Sequence, residues 1–270
     1  MKWKTLFVPL LLLLPLAIFL PYLGSFAYPF HSNYSDLTIS HFPNLVYLQH
    51  ALQAWGEVPL WSDAILGGYP FAADPLSGLW YPPGWLLVVL PQPLGFNLLL
   101  LLHLWAAGMG MAAFLRWQGS SWLPAVAGGL LVELAPKLLA HDAAGHVTLV
   151  FAFAWTPWLL LVERRRFAAP FMKKGLAPAG LLYGMMLLAD VRWAAYAGLL
   201  WFFYSLHSAI REGQWFQGGS RQAQGLFSPG GVGRRVGRWL ADFLGQFALG
   251  VLIAAPLLLP LAQFTQYATR

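Results

Sequence analysis

Cysteine is absent from this chain, and charge is scarce, with only 10% of the residues Asp, Glu, Lys or Arg. The first absence excludes disulfides, thiolate metal sites and a cysteine nucleophile, and it leaves the redox compartment unreadable. The second excludes an ordinary soluble domain, in which roughly a quarter of the residues are charged. Internal repeats, a Gly-rich phosphate loop between strand and helix, and a metalloprotease helix motif are missing too. What fills the 270 residues is apolar: 59% are hydrophobic, and the mean hydropathy is +0.59. Several runs are long enough to cross a hydrocarbon layer of about 30 Å. The expectation is an all-α polytopic membrane protein, with the lipid bilayer as its first partner. The net charge of +6 does not point to nucleic acid, because the basic residues cluster beside apolar runs, as membrane orientation requires.

Apolar runs predict seven transmembrane helices, near residues 5–24, 94–115, 122–140, 147–163, 175–190, 193–210 and 239–260. The first run is longer than the core of a signal peptide, so it is expected to be a retained anchor, although Ser25-Phe26-Ala27 offers small residues for cleavage. With Lys2 and Lys4 cytoplasmic, thirteen of the sixteen basic residues fall on the cytoplasmic side, and only Lys137, Arg192 and Arg270 fall outside. That bias sets the expected orientation: N-terminus cytoplasmic, with Asp36, Asp63, Asp74, Asp142, Asp190 and most histidines on the extracytoplasmic face. Residues 1–270 form one transmembrane module, 25–84 a first extracytoplasmic loop, and 211–238 a cytoplasmic Gly/Arg-rich linker loop.

The large first loop is expected to be ordered. Leu45, Leu48, Leu52 and Trp55 recur at helical spacing between Pro43 and Gly56, predicting a surface helix whose other side carries Asn44, Gln49, His50 and Gln53. Prolines, glycines and aromatic residues follow, in Gly67-Gly68-Tyr69-Pro70 and Trp80-Tyr81-Pro82-Pro83, and favour turns at headgroup level.

Tyr34-Ser35-Asp36, the surface helix, Gly56-Glu57-Val58-Pro59-Leu60-Trp61, Gly67-Gly68-Tyr69-Pro70-Phe71 and Trp80-Tyr81-Pro82-Pro83 together resemble the first extracytoplasmic loop of bacterial YfhO-like membrane proteins of the GT-C glycosyltransferase superfamily. His141 to His146, Ala154-Trp155-Thr156-Pro157-Trp158 and Ala195-Tyr196 are similar as well. The resemblance implies a GT-C-like enzyme of the bacterial cytoplasmic (inner) membrane. Such an enzyme takes a sugar from a polyprenyl-phosphate donor on the outer face and gives it to an acceptor. It also implies that Asp36, in the position of the family's first-loop acid, is the catalytic carboxylate. GT-C enzymes add further spans to a shared seven-span module, and this chain, ending at Arg270, corresponds to the shared module.

Glycosyl transfer needs a carboxylate within reach of the acceptor proton and cationic partners for the departing phosphate. Asp36 suits the first role and is expected to be buried near the interface; its plain alternative is a helix cap. His141 and His146, five apart with Asp142 beside the first, either contact a phosphate or mark a wet inter-helix turn. Arg192 suits bidentate phosphate binding or a salt bridge to Asp190, and Arg270 is a further substrate-binding candidate. Asp74, in a turn-forming context, is a second oxygen ligand with Asp36 should a magnesium or manganese ion be held. Glu133 and Lys137, four apart, are expected to neutralise each other on one helical face. Two other readings stay open: a non-catalytic GT-C-like subunit packed against partner membrane chains, and a transporter of lipid-linked sugar.

Overall fold

A computed structural model describes residues 13–23, 34–64, 67–168, 177–211 and 229–267. Residues 5–12 and 24 of the first expected span, Lys2, Lys4, Ser25-Phe26-Ala27, most of the 211–238 linker and Arg270 lie outside the described residues; within that span Pro15–Tyr22 is helical. Among the described residues the protein is helical, and its one β-bridge pairs Ser62 with Tyr69. Four stretches are long and apolar enough to cross a membrane: Leu94–Trp117, Trp122–Ala143, Val147–Phe167 and Val236–Ile253. These match the second, third, fourth and seventh expected spans. At the fifth, the described helix has 13 residues, Ala177–Ala189. At about 1.5 Å per residue that is roughly 20 Å, short of the hydrocarbon thickness.

In chain order the main helices are α1 (Phe42–Ala54), α2 (Leu94–Trp117), α3 (Trp122–Glu133), α4 (Pro136–Ala143), α5 (Val147–Ala154), α6 (Thr156–Ala168), α7 (Ala177–Ala189), α8 (Val191–Arg211), α9 (Pro229–Ile253) and α10 (Ala255–Tyr267). Proline divides three of the long apolar stretches. Pro136 separates α3 from α4, Pro157 follows the break between α5 and α6, and Pro256 follows the break between α9 and α10. The break at Leu134–Ala135 has a consequence for charge. Glu133 and Lys137 no longer share one continuous helix, and among the described residues no ion pair joins them. The expected neutralisation is not made. The Glu133 carboxylate is fully buried, lies where Gly108 leaves room for it, and has no hydrogen-bond partner.

Close packing rests on small residues. Gly180 of α7 meets Gln246 and Leu249 of α9, and Gly184 meets Ile253, so tightly that an added Cβ would fall within about 3 Å of them. The helix expected between Pro43 and Gly56 forms as α1 and buries Leu45, Leu48 and Ala51, but Asn44, expected on its polar side, is buried with them and Trp55 is exposed. Tyr81 ties the loop that follows α1 to the bundle. Its hydroxyl donates to His103 Nε2 (2.5 Å) and accepts from Trp155 Nε1 (2.9 Å), while His103 Nδ1–H donates to Leu99 O (2.7 Å). The loop is therefore pinned to both α2 and the α5–α6 junction.

Candidate functional site

The chain enters the site through Ser35 and Asp36. Asp36 N–H donates to Ala144 O (3.0 Å) in the turn between α4 and α5, which brings the loop onto that turn. Gly145 makes the contact possible. Its φ is +80°, and a Cβ there would stand 2.4 Å from Leu37 N and 2.8 Å from Asp36 N. A single π-helical turn, Leu37–His41, then leads into α1. Asp36 stands at the N-cap position of that turn, and the preceding Ser35 carbonyl accepts from Thr38 Oγ1 (2.9 Å). Asp36 makes no side-chain cap, so its carboxylate is left for other work.

That work is with histidine. His146 Nε2 lies 3.4 Å from Asp36 Oδ2, and His146 Nδ1 lies 2.9 Å from His141 Nδ1. The second contact requires one proton between the two rings. The Nε2 side of His146 faces the Asp36 carboxylate as an ion-pair contact, and its Nδ1 side shares a hydrogen bond with His141, so the three side chains stand in line. The Asp36 side chain is 44% exposed, so the burial expected for it is not found; the carboxylate sits at a rim, held by an imidazole.

Asp190 and Arg192 complete the group from the α7–α8 junction. Arg192 Nη2 lies 2.8 Å and Nε 3.3 Å from the two Asp190 oxygens, which makes the salt bridge that was one of the two expected roles. Asp190 also accepts from Trp193 N–H (3.0 Å) and Thr148 Oγ1 (3.2 Å). Burial pushes the Asp190 carboxyl up, but the Arg192 and Trp193 hydrogen bonds outweigh it and hold the group below the usual carboxylate range. The Arg192 side chain remains 55% exposed. It lies within the field of Asp36, and the charges of Asp190 and Arg192 act on His141. Of the six sequence-derived candidates, Asp36, His146 and His141 are in contact, and Arg192 lies within electrostatic range of them.

Asp74 does not join them. Its oxygens accept from Asn44 Nδ2 (2.9 Å) and from Leu76 N–H (2.8 Å), a local turn in which burial raises its pKa. Among the described residues no three His, Asp or Glu side chains gather to hold a metal ion. Among the described residues Asp74 is engaged by Asn44 and Leu76, whereas Asp36 faces His146.

His41, not among the sequence-derived candidates, is the functional group the fold adds. Its Nδ1–H donates to Leu76 O (3.2 Å), and its buried Nε2 has no partner. Burial pushes its pKa down to about 4, against the opposing fields of Asp36 and Asp190. The ring lines a cavity of about 40 Å³ between the outer loop and the bundle, with Thr148, Tyr81, Ser77 and otherwise mainly apolar walls. At about 15 Å³ per water, that is room for two or three waters and not for a sugar ring. Asp142 is similar in one respect: both its carboxylate oxygens are buried and unpartnered. No sequence signal announces the π-turn that swings His41 inward. No protein-family model, curated protein or solved structure matches this chain.

Proposed function

We propose that this protein is a GT-C-like membrane glycosyltransferase, or the shared module of one. On this reading Asp36 takes the acceptor proton and Arg192 faces the phosphate of a polyprenyl-phosphate sugar on the extracytoplasmic side. The observation that carries the reading is the convergence of Asp36, His146, His141 and Arg192 from three separate parts of the chain onto one rim. A carboxylate beside an exposed guanidinium is what transfer from a phosphate leaving group asks for: a base on one side and charge stabilisation on the other. His146 orients Asp36 and supplies a path for the proton onward to His141. His41 Nε2, an unprotonated acceptor at neutral pH, stands behind them. The cavity at His41 is lined by none of Asp36, His146, His141 and Arg192 and is too small for the donor, so on this reading the donor binds at the exposed rim. The seven-span count, with helices 177–189 and 191–211 as the fifth and sixth crossings, and the outward orientation of this rim belong to the same proposal.

The test is transfer from a defined polyprenyl-phosphate sugar by the purified chain and its Asp36→Asn variant. Loss of at least 100-fold with the fold retained is expected. Unchanged transfer rejects Asp36 as the base, and no transfer by the unaltered chain from any common polyprenyl-phosphate sugar rejects the enzyme reading.

A second reading has one specific observation behind it. Transport of a lipid-linked sugar calls for ionisable groups at membrane depth beside discontinuous helices. Glu133 is buried and unpartnered at the α3–α4 break. Glu133→Gln separates the two: it abolishes transport in vesicles and leaves transfer at the Asp36 rim intact.

A further inference from the structure

The cavity at His41 has a chemistry of its own, apart from the Asp36 rim. Its walls come from α1, from the segment 76–88 that follows, and from the bundle through Phe96, Val147, Phe151 and Ala189. His41 is only 5% exposed; its ring lines the space, and its buried Nε2 has no hydrogen-bond partner. The bond from Nδ1–H to Leu76 O (3.2 Å) fixes the tautomer and leaves Nε2 as a bare lone pair. Such an acceptor costs stability unless a guest brings it a proton donor.

The hydroxyls of the wall direct their own protons elsewhere. Ser77 Oγ donates to Asp74 O (2.8 Å), Thr148 Oγ1 to Asp190 Oδ2 (3.2 Å), and the Tyr81 hydroxyl to His103 Nε2 (2.5 Å). What these side chains offer a guest is therefore lone pairs. An anion would meet them charge against charge. A cation is disfavoured by the same burial that pushes the His41 pKa down to about 4, because a site that keeps its own imidazole neutral does not favour an ammonium. A neutral hydroxyl fits: it donates to Nε2 and buries no charge.

Size and access narrow the class further. A volume of about 40 Å³ is room for a CH₂OH tip and little more, so a larger molecule enters by its hydroxyl end alone. Trp85, 38% exposed, is the most exposed residue of the lining and marks the mouth. Beside it Leu86 and Val89, 44% and 76% exposed, present apolar surface just before the membrane-crossing α2, and a tryptophan in that setting suits the headgroup level. We propose that this cavity binds the hydroxyl tip of a neutral long-chain primary alcohol from the bilayer, with His41 Nε2 accepting its hydrogen bond and the chain leaving past Trp85, Leu86 and Val89 into the lipid. The proposal does not rest on the glycosyltransferase reading.

The experiment uses the full chain in phosphatidylcholine nanodiscs with a dodecan-1-ol analogue carrying a photoreactive diazirine at mid-chain, and cross-linked residues are mapped by mass spectrometry. Labelling is expected at Trp85, Leu86 and Val89, displaced by unlabelled dodecan-1-ol. It should fall about fivefold in His41→Leu, the effect of one lost hydrogen bond. Val88→Trp, which fills the cavity from its wall and keeps His41, should lose the label too; this variant also serves if His41→Leu does not fold. Unchanged labelling in Val88→Trp overturns the site, and unchanged labelling in a folded His41→Leu overturns the assigned acceptor. Displacement by dodecane as effective as that by dodecan-1-ol overturns the hydroxyl class. Displacement by propan-1-ol at the same concentration overturns the lipid source in favour of a soluble alcohol.

Discussion

The two ends of the bundle handle buried charge in opposite ways. Around Glu163, which is fully buried, the carboxylate itself is matched: Arg166 grips it, Ser205 accepts from Arg166 and from Trp239 Nε1 (2.9 Å), and Asp242 stands by. Three helices, α6, α8 and α9, are joined by this network. Around Asp36 the valences stay open: the carboxylate is half-exposed, His41 Nε2 and the Asp142 oxygens are buried without partners, and Arg192 is more than half-exposed. A satisfied polar network rigidifies a fold, whereas unpartnered buried groups cost stability and are retained where something else uses them. The contrast separates a structural clasp from a candidate reaction site within one chain.

The sharpest way to break the contrast is to unpair the clasp. Glu163→Ala leaves Arg166 facing Ser205 and only a distant Asp242, and should cost about 3 to 5 kcal/mol, seen as a large fall in the unfolding temperature in detergent. A loss below about 1 kcal/mol would show that the clasp contributes no more than an exposed pair.

Acid should act at the other end. His41 binds its proton only near pH 4 in the folded chain and near pH 6.5 when unfolded. Its stabilising effect is therefore complete above pH 6.5 and is lost as pH falls from 6.5 towards 4, by up to about 3 kcal/mol. Asp190, held low, adds a loss that begins only as pH falls below its unfolded value of about 3.9. His41→Leu should flatten the stability curve between pH 6.5 and 4; a curve of unchanged slope would contradict the burial of this ring.

Tyr81→Phe removes the hydroxyl between His103 and Trp155. It leaves one acceptor and one donor unpaired, with an expected loss of about 1 to 3 kcal/mol. Faster hydrogen exchange confined to the outer loop should accompany it, and uniform exchange would place the pin elsewhere. Gly145→Ala presses a Cβ against Leu37 N and Asp36 N, for about 1 to 2 kcal/mol. It should also move Asp36 away from His146, so that transfer falls further than stability does. Asp36→Asn sits at the bottom of the stability scale. Both partners are well exposed, so its pair with His146 contributes about 0 to 1 kcal/mol. A stability loss larger than that of Tyr81→Phe would recast Asp36 as a structural residue.

Parts of this were legible beforehand. Leu45, Leu48, Leu52 and Trp55 announced α1, because the spacing of apolar residues is a property of the helix alone. Pro136 and Pro157 mark the breaks within the third and fourth apolar runs, and the length of an apolar run is blind to such interruptions. Glu133 and Lys137 show the cost: spacing implies a pair only while one helix persists between the two residues.

From residues alone come the membrane-spanning character, the position of four long apolar helices, the ordered loop with its surface helix, and the short list of polar groups able to do chemistry. These depend on composition and local periodicity, which a chain carries before it folds. Only the folded chain decides that Asp36 leans on His146 rather than capping its own turn, that Asp74 stays apart, that His41 faces a cavity, and that Glu163 has an arginine while Glu133 has none. Each of those outcomes turns on contacts between segments far apart in the chain, and such contacts exist only once helices have packed and backbone breaks have set which way each side chain points.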